Sequence, residues 1–281
     1  MHPLVLTVAL PSCASLISLK LGICEFLDLR QLQYFVGAFP QLQHLDIEEV
    51  SVASRISSLV TSALPRPELI SLRVHCPMKY SADGSDCYGD LLSWLEYTPS
   101  IRSLRDVSLV LHSPGELVCS TILLRKLGRN LECLTLRLAR QTRFCRSSSA
   151  FLTHYHTGDG QFSIEYCTGL RMLCFEEYAE SSTSADDAAA DLVVLLTQLP
   201  VPGRLRELRV LLNPLKVSRW ERICAALPRK KFCSLELISV RYWWIKKAAS
   251  SMQWEREVAE VLSSCCPGVR VRFQGLTWFA S

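Results

Sequence analysis

One spacing of apolar and polar positions returns along the whole chain. In "FPQLQHLDI", Phe39 to Ile47, apolar residues stand at Leu42, Leu45 and Ile47. In "RPELISLRV", Arg66 to Val74, the same places hold Leu69, Leu72 and Val74. Searching for L-x-x-L-x-L, with any apolar residue allowed, gives nine starts: Leu16, Leu42, Leu69, Leu104, Leu131, Leu170, Leu205, Leu235 and, more weakly, Cys266. Successive starts lie 26, 27, 35, 27, 39, 35, 30 and 31 residues apart. A period of about 20–50 residues is the mark of a repeat architecture. The alternating L-x-L puts one face of a short strand inward, and one strand cannot bury that face alone, so neighbouring units must stack.

The intervals carry a second pattern. Apolar residues three and four apart, one face of an amphipathic helix, occur in Leu29–Phe39, Val52–Leu64, Asp90–Tyr97, Asp186–Leu199, Ser218–Leu227 and Trp254–Cys265. Prolines at 40, 65, 99, 200, 228 and 267 follow soon after, where a helix has to stop. Strand, helix, proline, strand then recurs, and parallel strands with helical returns form a right-handed α/β coil. The extended leucine-rich-repeat consensus, L-x-x-L-x-L-x-x-N/C-x-L, is met in full by "LISLKLGICEF", with Cys24 in the N/C slot, and by "LRELRVLLNPL", with Asn213 there. Elsewhere that slot holds Val50, Pro77, His112, Ala139, Tyr178 and Trp243. The expected fold is an α/β leucine-rich-repeat solenoid, a horseshoe with a parallel concave sheet and helices on the convex side. It is expected to be a single domain over residues 1–281, with about eight or nine irregular units.

Composition narrows the function. The chain has 281 residues, and its 31 Lys and Arg against 27 Asp and Glu leave a formal charge of +4. That balance argues against nucleic acid, which favours a concentrated basic face. No apolar run reaches the roughly 18 residues that suggest a membrane span. The opening "MHPLVLTVAL" has no Lys or Arg before its short apolar run, unlike a secretory signal. Thirteen cysteines, an odd number without any C-x-x-C, fall largely inside apolar patterns, as in "LECLTL". They read as small buried hydrophobes in a reducing compartment, cytoplasmic or nuclear.

Catalytic motifs are missing from the sequence: no G-x-S-x-G, H-E-x-x-H, G-x-x-x-x-G-K or G-x-G-x-x-G occurs. No enzyme activity and no cofactor are expected. The alternative is a metal-dependent or other enzyme built on the long interval Arg140–Cys167, where "THYHTGDG" offers His154, His156 and Asp159. Imidazole and carboxylate both bind zinc, but no nearby Cys or His completes the set, so no metal site is assigned. The residues between the inward apolar positions should line the concave face, including Lys20, His44, Asp46, Arg73, His75, Asp106, Arg137 and Glu207. Its late part is dominated by Arg209, Arg241, Arg270 and Arg272. Arginines in a row suit an acidic or phosphorylated peptide, through bidentate bonds. Beside them Tyr242 and Trp244 are expected to lean outward as apolar anchors, with Trp243 inward.

Three stretches, "LRQLQYFVGAFPQLQHLDIEEV", "YTPSIRSLRDVSLVL" and "LLRKLGRNLECLTLRL", resemble the leucine-rich-repeat region of fungal (basidiomycete) F-box proteins. The resemblance spans nearly the whole chain in layout. It implies a protein-protein recognition module, the substrate-binding part of an F-box-type ubiquitin-ligase adaptor. The F-box itself, the helical module that docks the Skp adaptor, has no counterpart before Leu16, so a Skp partner is expected only with an F-box upstream.

Overall fold

The computed structural model describes residues 13–54, 67–75, 79–80, 87–139, 152, 162–178, 185–211, 217–244 and 248–277. The chain forms two compact units, Met1–Leu131 and Glu132–Ser281. Both are α/β, and each strand pairing described below is parallel.

In the first unit, β1 (Ser18–Asp28), β2 (His44–Ser54), β3 (Ser71–Val74) and β5 (Asp106–Leu111) are neighbours in that order, and the short β4 (Lys79–Tyr80) pairs with β2. Helices α1 (Leu29–Gly37), α2 (Tyr88–Glu96), α3 (Ser100–Ser103) and α4 (Pro114–Leu127) fill the intervals. In the second unit, β6 (Cys133–Ala139), β7 (Met172–Tyr178), β8 (Glu207–Leu211), β9 (Leu237–Trp244) and β10 (Arg270–Thr277) run in sequence order. They are joined by α5 (Ala185–Gln198), α6 (Val217–Ala225) and α7 (Ala248–Cys265). Among the described residues no helix is long and apolar enough to cross a membrane.

The repeat phase is visible residue by residue. Register sets Leu19 beside Leu45, Leu45 beside Leu72, and Leu72 beside Val107. In the second unit it sets Leu134 beside Leu173, Leu173 beside Leu208, and Leu208 beside Ile238. All of these except Leu19 are buried, as are Leu42, Leu69, Leu104, Leu131, Leu170, Leu205 and Leu235 at the starts. Burying each such side chain is worth about 1.5–3 kcal/mol, which is why the frame persists while other positions vary. A backbone device marks the same place in successive units. The carbonyl after six of the starting leucines accepts two N–H groups from the next unit: Ile17 from Gln43 and His44, Gln43 from Ile70 and Ser71, Ile70 from Arg105 and Asp106. Glu132, Arg171 and Arg206 repeat the arrangement in the second unit.

Several expectations change. The last start is not Cys266: β10 sets Val271 beside Ile238 and Phe273 beside Val240, so the equivalent of Leu235 is Gly268. Cys266 instead closes α7, its N–H bonding the Leu262 carbonyl, and the chain turns through Gly268 at φ +89°. The helical reading from Val52 begins too early, because β2 continues to Ser54; residues 55–64 lie outside the described part. Three elements, β4, α3 and α4, appear where the apolar pattern named none. Helix α4 is fixed by a capping box: Ser113 Oγ accepts from the Glu116 N–H at 3.3 Å and the Glu116 carboxylate accepts from the Ser113 N–H at 3.3 Å. Its exposed Val118 and Ile122 blur the helical periodicity.

β1 and β2 share a further feature. Ile23 and Glu49 occupy the left-handed region, at φ +50° and +53°. They fall between Gly22↔Glu48 and Cys24↔Val50, at the same level of the two strands. Each kink advances the alternation by one residue. Leu45 and Ile47 are buried before it, and Val50 and Val52 after it. This is how the x-x of the consensus is spanned without turning its second half outward.

Candidate functional site: the open strand face of the second unit

Alternation sets three levels of side chains on the face of β6–β10 opposite the inward apolar frame. The first holds Cys133, Met172, Glu207, Leu237 and Arg270; the second Thr135, Cys174, Arg209, Ser239 and Arg272; the third Arg137, Glu176, Leu211, Arg241 and Gln274. Parallel strands about 4.8 Å apart put Arg209 and Arg272, two strands distant on one level, about 10 Å apart. Arg209 and Arg241 do not share a level: Arg209 is beside Ser239, and Arg241 is beside Leu211.

The arginines differ in what already holds them. Arg209 is clamped by its strand neighbour Glu207, Nε to Oε1 at 2.7 Å and Nη2 to Oε2 at 3.2 Å. That bond, with the nearby negative charge, raises the Arg209 pKa further. Glu176, only 6% exposed, joins two arginines. Arg137 donates to its Oε2 from Nε at 2.8 Å and from Nη2 at 2.5 Å, and Arg241 Nη1 lies 3.9 Å from Oε1. Nε of Arg241 is buried without a hydrogen bond. Arg270 and Arg272 are exposed and have no ion pair among the described residues. The face thus carries five arginines, Arg137, Arg209, Arg241, Arg270 and Arg272, against Glu176 and Glu207. Cys174, on the middle level, is buried, and burial pushes its thiol up to about 12.

Tyr242 does not lean outward. It is 4% exposed and sits on the helix side: its hydroxyl donates to Glu255 of α7, and its ring meets Trp254 edge-on at 5.0 Å between centroids. Burial, then the bond to Glu255, push the phenol up to about 12. The consensus spacing presumes a kink in β9 like those at Ile23 and Glu49. β9 instead keeps unbroken register with β10 from Leu237 to Trp244, so Ile238, Val240 and Tyr242 share the inner side. Gly275, beside Tyr242, leaves room for this ring; a Cβ there would lie 3.3 Å from the Tyr242 hydroxyl. The side chains of Trp243 and Trp244 lie outside the described part.

The first unit's equivalent face is more evenly paired. Lys20 contacts Glu48 at 2.6 Å, Arg73 lies 3.9 Å from Asp106, and His75 Nε2 lies 3.3 Å from Asp46. His154, His156 and Asp159 lie outside the described residues, among which no group of His, Cys, Asp or Glu is placed to hold a metal ion. Sequence reasoning missed Glu176 as the partner of Arg137. Extending the strand alternation in "LRMLCFEEY" by one more step from Cys174 would have found it.

No family model matches the chain, and no curated protein matches it either.

Proposed function

We propose that the chain is a leucine-rich-repeat horseshoe that binds a protein or peptide through its strand face, as the substrate-binding part of an F-box-type ubiquitin-ligase adaptor. The observation that carries the binding reading is the excess of arginine over carboxylate on one ordered face of the second unit, with two arginines unpaired among the described residues. Guanidinium groups on rigid strands favour carboxylate or phosphate in defined geometry, so the ligand is acidic or phosphorylated. Repeat folds commonly use such continuous surfaces for recognition. The ligase coupling rests on the resemblance of the repeat segments to fungal F-box proteins, and an intracellular location goes with it.

Two measurements test the two parts. The full reading frame, tagged and purified, should carry the Skp adaptor and a cullin if an F-box is encoded upstream; failure of both to co-purify removes the ligase coupling. Acidic and phosphorylated peptide arrays should bind the purified chain. Binding should fall for Arg270→Ala/Arg272→Ala and stay for Lys20→Ala/Asp46→Ala. Equal loss from both pairs, or loss only from the second, rejects the site.

A further inference from the structure

We infer that the open edge of β10 receives an acidic extended segment of the partner as an added strand. This rests on the binding reading above and specifies how the ligand is held.

Among the described residues β10 has β9 as its sole strand neighbour, and it pairs with it over eight consecutive residues without a kink. The Arg270 N–H bonds the Glu236 carbonyl in the preceding unit. Strand alternation therefore turns the backbone groups of Arg270, Arg272 and Gln274 toward β9. Those of Val271, Phe273 and Gly275 point to the open edge. An unpaired row of N–H and C=O groups is a template for another chain, and natural edges are blunted with lysine, proline or kinks. β10, "RVRFQGLT", has no lysine and no proline. In the first unit β1, which has β2 as its sole strand neighbour among the described residues, is kinked at Ile23, and its Lys20 is already held by Glu48.

The side chains select what can add. Arg270, Arg272 and Gln274 are exposed on the open face, and the two arginines have no carboxylate among the described residues. Val271 and Phe273, on the other face, are only half-buried, whereas their inner counterparts Ile238 and Val240 are buried. An incoming strand presents alternate side chains to the two faces. Carboxylates at every second position would meet Arg270 and Arg272, and apolar residues between them would cover Val271 and Phe273. The ligand chemistry is thus an alternating acidic and apolar strand of a protein partner.

The test uses the whole chain and synthetic ten-residue peptides in a fluorescence-anisotropy titration. The probe alternates Glu with Val; one control replaces Glu by Lys, and another carries N-methyl groups on the alternate amides of one edge, with a companion methylated on the other edge. The Glu–Val peptide should bind. One of the two methylated peptides should lose about tenfold or more, because strand pairing is blocked while charge is kept. Arg270→Glu/Arg272→Glu should weaken the Glu–Val peptide about tenfold, the scale of two partly exposed ion pairs, and should bind the Lys–Val peptide better than the unaltered chain does. Methylated peptides that both bind as well as the parent overturn edge addition; if Arg270→Glu/Arg272→Glu still weakens them, surface recognition by the arginines survives. No binding of the Glu–Val peptide by the unaltered chain overturns the inference outright.

Discussion

Glu176 is the residue on the strand face whose removal should act in opposite directions on folding and on binding. Its carboxylate is nearly buried and takes both Nε and Nη2 of Arg137 while facing Arg241. Hydrogen bonds to charged groups contribute about 1.5–3 kcal/mol, and breaking a fully buried pair costs about 3–5 kcal/mol. Both arginine side chains remain about 35% exposed, so water can solvate them once the carboxylate is gone. The cost therefore falls in the lower range, about 2–3 kcal/mol for Glu176→Ala. At about 2–4 °C per kcal/mol for a unit of this size, the melting temperature should drop by roughly 5–10 °C. Glu207→Ala breaks a more exposed pair, whose Arg209 side chain is 44% exposed, and should cost less than about 1 kcal/mol. The assay is urea unfolding of both variants plus Arg137→Ala and the Arg137→Ala/Glu176→Ala double variant. A coupling energy below about 0.5 kcal/mol between Arg137 and Glu176, within the noise of additivity, would refute the reasoning. So would equal losses from Glu176→Ala and Glu207→Ala. In the same preparations Glu176→Ala should bind an acidic peptide more tightly, since Arg137 and Arg241 are released from their internal partner.

Other outcomes follow from local geometry. Gly89→Ala in α2 should destabilise by about 1 kcal/mol although alanine favours helices, because the new Cβ would lie 2.8 Å from Cys119 Sγ. Adding Cys119→Ala should reverse the sign, which paired thermal melts will show. Cys13, Cys233 and Cys265 are exposed, whereas Cys167 and Cys174 are buried with thiols pushed up to about 12. Alkylation at pH 8 followed by peptide mass mapping should therefore modify the first three and spare the last two until the protein unfolds. The same shift has a pH consequence. Below about pH 8.5 both states keep these protons; above it the unfolded chain loses them while the folded one does not, so stability falls as pH rises toward 12. Ile23→Gly should raise stability by about 0.5–1 kcal/mol, since a β-branched residue at φ +50° is strained and this one is 83% exposed; an unchanged or lower urea midpoint would contradict that.

The repeat was legible because its signal is burial itself. Within each unit the leucines chosen from spacing stand at matching positions just before strands that pair in register, and seven of them are buried. The ninth failed because Cys266 and Val269 keep the parity of the pattern while a helix end and a glycine turn shift its phase by two residues. Helix α4 escaped notice because Val118 and Ile122 put apolar residues on its outer side. For the face, sequence identified which arginines line it but not which are free. Arg209 and Arg241 are occupied by Glu207 and Glu176, and such pairing depends on side-chain reach across and along strands. Tyr242 was misplaced for one reason: the consensus spacing presumes a backbone kink, and nothing in "SVRYWW" announces that β9 runs straight.

The matched kinks at Ile23 and Glu49 limit which units can be neighbours. A strand that advances its alternation midway fits beside another that does so at the same level; set against an unkinked one, its second half would bring outward residues opposite inward ones. β1 and β2 are therefore interchangeable with each other and with copies of themselves. β9 and β10, straight over eight pairs, form a separate compatible set. Duplication of a unit next to its parent would always preserve the match, whereas exchange of units between the two sets would not. The phase of the backbone, more than the identity of the leucines, would then decide which rearrangements of this chain still fold.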